Sequence, residues 1–212
     1  MFHQNLSGLS LDVTLTTVVG HKQFVVRTGC LLWTHFGVSG PVVMDASRCW
    51  TWAGEQGDPA EIYARLVREW TAESAKEWFQ DQAAANPRRS LTKTLALIVP
   101  ERLAGALCAH VGVGANMPAA QVLRGDRERL MAALIRLRLP VVRDRGWNHA
   151  EVTAGGIPLE EISYRTMESK LVPGLYLIGE ILDCDGRIGG FNFQWAWATG
   201  YVAGCAAIAR PT

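Results

Sequence analysis

One run near the C-terminal end constrains the fold more than any other part of this 212-residue chain. It begins with the short apolar segment 174–179, passes through the acidic and glycine-rich residues 180–190, and continues into an uncharged stretch over residues 191–209. An apolar segment, a glycine loop and a long apolar stretch in this order predict a strand, loop and helix. Such a unit in an α/β fold places unpaired backbone N–H groups and the positive end of a helix in the ligand crevice.

The residue types in this loop indicate what the crevice could bind. Glu180 and Asp183 follow the predicted strand, and Gly189 and Gly190 precede the predicted helix. A carboxylate at a strand end accepts hydrogen bonds from sugar hydroxyls, and glycines let a flat or anionic group approach the backbone. The helix dipole stabilises negative charge, which reduced flavin develops. The alternative is a structural turn of Asp and Gly, and the residues alone favour neither interpretation.

The N-terminal part of the chain has a β-rich pattern. Apolar and polar residues alternate over residues 11–19, the pair Gly20-His21 interrupts them, and apolar residues then continue to Thr34. Alternation on both sides of a two-residue turn predicts a β-hairpin. The glycine loop 37–40 ends the second strand, and Pro41 predicts the first turn of a short helix.

A change of period near residue 58 predicts a helical middle part. Asp58 and Pro59 suit a helix cap and a first helical turn, and Ile62, Leu66 and Trp70 recur at helical spacing. Further helical segments are predicted at 91–98, at 103–111, from Pro118, and at 126–137, where Asp126 is the predicted cap. After these helices, strands are predicted at 141–142 and 151–153.

Composition excludes several classes of function. The formal net charge is +1, so no strong field is expected to attract nucleic acid or anionic lipid. The five cysteines are scattered without a C-x-x-C pair, which predicts free thiols in a reducing compartment and neither a metal site nor a disulfide framework. No secretory signal pattern is present at the N-terminus, so we expect a cytoplasmic protein. Residues 191–209 contain Gly200-x-x-x-Gly204 but also polar side chains, which favours a buried soluble helix over a membrane span.

Several motifs together resemble a known family. They are Glu151-Val-Thr-Ala-Gly-Gly-Ile157, Thr166-Met-Glu-Ser-Lys-Leu-Val-Pro-Gly-Leu-Tyr176, the run from Gly179-Glu180 through Gly189-Gly190-Phe-Asn-Phe-Gln-Trp-Ala-Trp197 to Gly204, and the earlier Leu31-Leu-Trp-Thr-His-Phe-Gly-Val-Ser-Gly-Pro41. The chain resembles the C-terminal part of BaiN-like, aminoacetone-oxidase-like FAD-dependent flavoproteins. The resemblance spans most of the chain.

This resemblance implies a mixed α+β architecture. An inserted domain occupies residues 1–154, with β-barrel parts at about 1–57 and 138–154 and a helical subdomain at about 58–137. Residues 155–212 then complete a Rossmann-like FAD-binding domain with its C-terminal strand, loop and helix.

The resemblance also implies roles for individual residues. Glu180 is expected to face the ribityl hydroxyls, with Asp183 as a second candidate. Residues 189–192 are expected to face the isoalloxazine edge and the pyrophosphate side of the cofactor. Gly155 and Gly156 are expected to pass beside the flavin. The implied cofactor-binding residues are Gly155, Gly156, Gly179, Glu180, Asp183, Gly189, Gly190, Phe191 and Asn192. The implied reaction is electron transfer between FAD and a small organic substrate, with NAD(P)H as a candidate electron donor.

Side chains outside the glycine loop have weaker patterns. His35 ends an apolar strand and is a candidate for proton exchange with a substrate, although a His bonded to backbone is the commoner arrangement. Trp195 and Trp197, two positions apart, cannot share a helix face, and core packing is expected for both.

The family pattern is incomplete in this sequence. No G-x-G-x-x-G motif follows an early predicted strand. The acidic residue that usually lies about twenty positions after that motif, and binds the adenosine ribose, has no counterpart here either. We therefore expect weak or no FAD binding by this chain alone, with a partner chain supplying the dinucleotide-binding half or a homodimer forming. The alternative from another class is a non-catalytic binding module that does not bind FAD.

Overall fold

The structure is a computed structural model that describes residues 2–209. The described residues form two compact units, which divide between Asp144 and Arg145. The first unit contains β1 (Ser10–Val19), β2 (Lys22–Thr34), β3 (Gly37–Ser39), α1 (Pro41–Glu55), β4 (Ala60–Arg65), α2 (Ala72–Ala85), α3 (Leu91–Leu95), α4 (Glu101–Val111), α5 (Arg124–Ile135) and β5 (Leu137–Leu139). The second unit contains short 3-10 turns and the long helix α6 (Phe191–Ala209).

A five-stranded antiparallel sheet in the order β3-β2-β1-β4-β5 forms the first unit's β layer. The predicted hairpin is confirmed as β1 and β2. Gly20 and His21 join these strands with φ values of 53° and 69°. Two successive positive φ values are those of a type I′ turn, whose twist matches that of the flanking strands.

The glycine before α1 is required by the packing of the chain. Gly40 has φ +97°, and a Cβ built on it would lie 2.7 Å from the carbonyl oxygen of Cys30. The predicted helix start at Pro41 is confirmed, but the helix continues to Glu55 and is not short. Its buried face, which includes Val42 and Ala46, joins the core cluster of the first unit.

The helix predicted from Asp58 is wrong, because residues 60–65 form strand β4 between β1 and β5. Burial alternates along the strand, with Ile62 and Ala64 buried, which is the period of a half-buried strand. Pairing with two neighbouring strands overrides the local helical pattern. Leu137, predicted as helical, pairs with Ala64 as part of β5.

The other predicted helices of the middle part correspond to α3, α4, a short 3-10 turn at Ala119–Gln121, and α5. Asp126 lies in the first turn of α5, whose N-cap is Leu123, so the predicted cap is displaced. Side chains from the helices and the sheet share one core, in which Trp33, Phe79 and Leu107 are almost completely buried. The first unit therefore packs its helices and its sheet around a common interior.

A mixed α/β class is confirmed, and the predicted barrel is not. Among residues 2–144, pairing runs from β3 to β5 and no ladder joins these two edge strands. The strands predicted at 141–142, 151–153 and 174–179 are absent from the described ladders, apart from a single bridge between Glu168 and Tyr176. An extended segment becomes a strand only where a neighbour pairs with its backbone.

Helix α6 begins at Phe191 as predicted and is uncharged throughout. Within residues 2–209, no helix combines the length and apolar character needed to cross a bilayer.

Candidate functional site

Two segments of the second unit approach each other closely. Ile157 and Leu182 form a parallel bridge, in which the Ile157 N–H donates to Ile181 O at 2.9 Å and the Asp183 N–H donates to Ile157 O at 2.9 Å. A Cβ built on Gly156 would lie 2.5 Å from Ile181 O. Only glycine permits this approach, so the structure brings the predicted residues Gly156 and Asp183 together.

Glu180 is fixed by the same pair of segments. Its carboxylate Oε1 accepts a hydrogen bond from the Thr153 N–H at 2.7 Å, although the residue itself is exposed. A charge-assisted bond of this kind restricts the side chain while leaving the carboxylate at the surface. The arrangement can present a carboxylate to a hydroxyl-bearing ligand.

Gly179 is buried and is held by side chains of α6. Its N–H donates to Thr199 Oγ1 at 3.0 Å, and its carbonyl oxygen accepts from Trp195 Nε1 at 3.1 Å. Its φ of +69° is in the left-handed region, and a built Cβ would lie 3.5 Å from Ala196 Cβ. Gly179 therefore sets the path of the chain into Glu180.

The loop before α6 is closed by Asn192. The Gly186 N–H donates to Asn192 Oδ1 at 2.6 Å, and Asn192 Nδ2 donates to Gly186 O at 3.1 Å. A Cβ on Gly186 would lie 2.9 Å from Phe191 Cβ, so a glycine is needed here as well. The side-chain amide of Asn192 is thus bonded within the loop, whereas the family resemblance assigns it to the cofactor.

Two of the predicted glycines border open space. Gly155 and Gly190 have φ values of +90° and +85°, and a Cβ built on either would meet no atom within 4 Å beyond its chain neighbours. Gly189, at φ +128°, has the Phe191 ring 3.4 Å from its built Cβ. Gly155 and Gly190 leave room for a ligand, whereas Gly156 and Gly179 serve the packing of the chain on itself.

His35 and the two tryptophans are placed differently from one another. His35 is exposed in the turn between β2 and β3 of the first unit, with its ring edge-on to Phe36 at 5.1 Å. Phe191 is 61% exposed at the start of α6. Trp195 and Trp197 do not share a face, as predicted, but core packing is wrong for Trp197, which is 69% exposed.

Sequence reasoning missed the contacts that hold the site. None of Thr153, Gly186 and Thr199 was assigned a contact in the site, and core packing was the favoured role of Trp195. The spacing of Trp195 and Thr199, four positions apart on one helix face, is the signal that could have paired them. Among the described residues, no group of three or more His, Cys, Asp or Glu side chains could hold a metal ion.

Comparison with known proteins identifies relatives. A ribosomal RNA dihydrouridine synthase from Escherichia coli (strain K12) is 35% identical over 200 residues, covering 94% of this chain and 46% of that protein. A 3-dehydro-bile acid delta(4,6)-reductase from Clostridium scindens is 32% identical over 205 residues, covering 97% of this chain and 50% of that protein. A ribosomal RNA dihydrouridine synthase from Haemophilus influenzae is 34% identical over 198 residues, covering 93% and 46%.

The chain spans about half the length of the curated relatives it matches. The family described as HI0933-like protein Rossmann domain matches residues 6–206, which is nearly the whole chain. The resemblance inferred from the motifs is thus confirmed at the level of a Rossmann family with a reductase among its relatives. On these grounds the chain belongs to the HI0933-like Rossmann domain family.

Proposed function

We propose that the second unit contributes the flavin-facing half of an FAD site in an oxidoreductase. The observation that carries the proposal is the Glu180 carboxylate, fixed by the Thr153 N–H at 2.7 Å. Gly155 and Gly190 support it, because their left-handed backbones border open space. A restrained carboxylate and glycine backbones that admit a flat group suit the ribityl chain and ring of a flavin.

The residues have separate tasks in this proposal. Glu180 accepts hydrogen bonds from ribityl hydroxyls, with Asp183 beside it on the chain. Gly189, Gly190 and the first turn of α6 face negative charge on the cofactor, since a helix N-terminus stabilises anions. FAD supplies a hydride when bound in its reduced form.

The names of the relatives favour one class of reduction. A dihydrouridine differs from uridine by two hydrogens added across a carbon–carbon double bond next to a carbonyl, and a 3-dehydro delta(4,6) steroid has double bonds conjugated to its 3-oxo group. We propose the same class for this chain: reduction of a double bond conjugated to a carbonyl, with NAD(P)H as electron donor. Within this class we propose a small organic substrate, as the name of the bile acid reductase indicates, and an RNA-borne uridine is the alternative that the two ribosomal RNA enzymes favour.

A complete FAD site requires a dinucleotide-binding half, which we propose is supplied by a partner chain. The described second unit contains one parallel bridge, Ile157 with Leu182, whereas a Rossmann domain is built on a parallel sheet. Exposed apolar side chains along α6, including Phe193 and Tyr201, support a missing neighbour.

The free cysteines agree with action in a reducing cytoplasm.

The test is titration of the purified 212-residue chain with FAD, followed by flavin fluorescence and visible absorbance. We expect Glu180→Gln to weaken FAD binding about tenfold, because an amide accepts more weakly from ribityl hydroxyls than a carboxylate does. Glu160→Gln is the matched control, since Glu160 is an exposed carboxylate of the same unit. Equal affinities for the two variants contradict the assignment of Glu180. Absence of any flavin response, with and without candidate partners, favours the non-catalytic binding module.

A further inference from the structure

We propose that Trp195 and Thr199 are positioning residues that set the orientation of Glu180 through the Gly179 peptide. The role in flavin binding rests on the proposed function, whereas the positioning itself is a property of the chain. Both backbone polar groups of Gly179 are bonded to side chains of α6, at 3.0 Å to Thr199 and 3.1 Å to Trp195.

Trp195 and Thr199 can both bond Gly179 because of their spacing on α6. Residues four positions apart lie on the same helix face, one turn apart. The Gly179 peptide lies across that turn, with its N–H at Thr199 and its carbonyl at Trp195. We call this pair of contacts the Gly179 clamp. A residue whose N–H and carbonyl oxygen are both hydrogen-bonded has a fixed position and a fixed orientation, which apolar packing does not specify.

Thr199 has both hydrogen-bonding capacities in use. Its Oγ1 accepts from the Gly179 N–H at 3.0 Å and donates to Trp195 O at 2.7 Å. The residue is 3% exposed, so an unmade bond would leave a buried donor or acceptor unsatisfied. This double use requires a hydroxyl at position 199, which serine keeps and valine removes.

The Gly179 clamp is relevant to the site because Glu180 is the next residue. The peptide of Gly179 determines where the Glu180 backbone starts, and the Thr153 N–H, 2.7 Å from Oε1, determines where its side chain ends. A shift of the Gly179 peptide therefore moves Glu180 away from Thr153. The protection of the Thr153 amide from hydrogen exchange reports the position of Glu180 without any ligand.

The experiment measures amide hydrogen exchange in the 212-residue chain for Trp195→Phe, Thr199→Val and Thr199→Ser. We expect Trp195→Phe and Thr199→Val to lower the protection of Thr153 about fivefold. Thr199→Ser is expected to retain it. Glu180→Ala calibrates the full loss, and Trp197→Phe is the matched control, because Trp197 is 69% exposed.

An internal reference separates positioning from general destabilisation. The Met167 N–H donates to Ser163 O at 2.7 Å within the same unit. Selective loss at Thr153 with unchanged Met167 supports the proposal. Unchanged protection at Thr153, or an equal loss at both amides, overturns it.

FAD titration of the same variants tests the link to function separately. Weaker FAD binding by Thr199→Val, restored in Thr199→Ser, supports a clamp that serves the cofactor site. If neither the variants nor the unmodified chain binds FAD, with and without candidate partners, while the exchange pattern holds, the proposed function fails and the positioning of Glu180 stands.

Discussion

Gly155 and Gly156 are adjacent and both have positive φ values, but their surroundings differ. A Cβ on Gly156 would overlap the backbone of Ile181, whereas a Cβ on Gly155 would enter open space. A glycine-to-alanine substitution therefore tests chain packing at position 156 and the space open to a ligand at position 155. This separation within a two-residue motif is a property of the backbone and has no signal in the sequence.

We predict that Gly156→Ala lowers the free energy of unfolding of the second unit by about 2–4 kcal/mol, from backbone strain plus steric overlap. Gly155→Ala is expected to lower it by about 1–2 kcal/mol, from backbone strain alone. Denaturant dependence of amide exchange within residues 153–183 measures both. Equal losses for the two variants would contradict the close approach of Gly156 to Ile181.

Individual site residues were predictable to different degrees. Residue type and order make Glu180 and the glycines candidates, but the same residues also suit a structural turn, and their role in cofactor binding stays a prediction. The bonds made by Thr153 and Thr199 were not predictable, since each joins a backbone N–H to a side-chain oxygen, 27 and 20 positions apart in the sequence. A threonine in a sequence does not indicate which backbone atom it will face.

Secondary-structure elements show how glycine has opposite effects in a turn and in a helix. Gly20 has φ +53° in the turn between β1 and β2, and Gly105 lies inside α4. A Cβ on either residue would meet nothing within 4 Å, so packing does not enter the comparison. Only the backbone preference of the added side chain remains.

We predict that Gly20→Ala lowers the free energy of unfolding by about 1 kcal/mol, since alanine is strained at positive φ. Gly105→Ala is expected to raise it by about 0.5–1 kcal/mol, because alanine favours helix. Urea denaturation of the first unit, followed by tryptophan fluorescence, gives both values. A loss of stability in Gly105→Ala would show that α4 has contacts that the methyl group disturbs.

The elements that sequence reasoning predicted well are those fixed by nearby residues. The hairpin of β1 and β2 and the start of α1 at Pro41 depend on a turn and a cap. Strand β4 was missed because its partners β1 and β5 are distant in the chain, and pairing with them outweighs the helical spacing of its apolar residues. Segment 174–179 failed for the opposite reason, since it has strand composition but only one bridging partner.

At the scale of the whole molecule, the division into two units has a consequence for proteolysis. Residues 142–150 are exposed and, apart from a short 3-10 turn, lack regular structure, and the boundary between the units lies among them. Exposed irregular backbone is the preferred substrate of proteases. Arg143 and Arg145 provide trypsin sites in this segment.

We predict that brief trypsin treatment first cuts after Arg143 or Arg145 and leaves a resistant fragment that contains the first unit. Mass spectrometry of the early products identifies the cut. The double variant Arg143→Gln, Arg145→Gln is expected to delay the first cleavage markedly. Initial cutting of the unmodified chain at Arg88 or Arg89 would contradict this prediction.

The residues that hold Glu180 all lie between Thr153 and Thr199. Because every contact that we describe around it is made inside this stretch, we expect a chimera that carries the corresponding stretch of a relative to retain these bonds. The position of the Glu180 carboxylate is then inherited with one continuous segment of sequence, from Thr153 to Thr199.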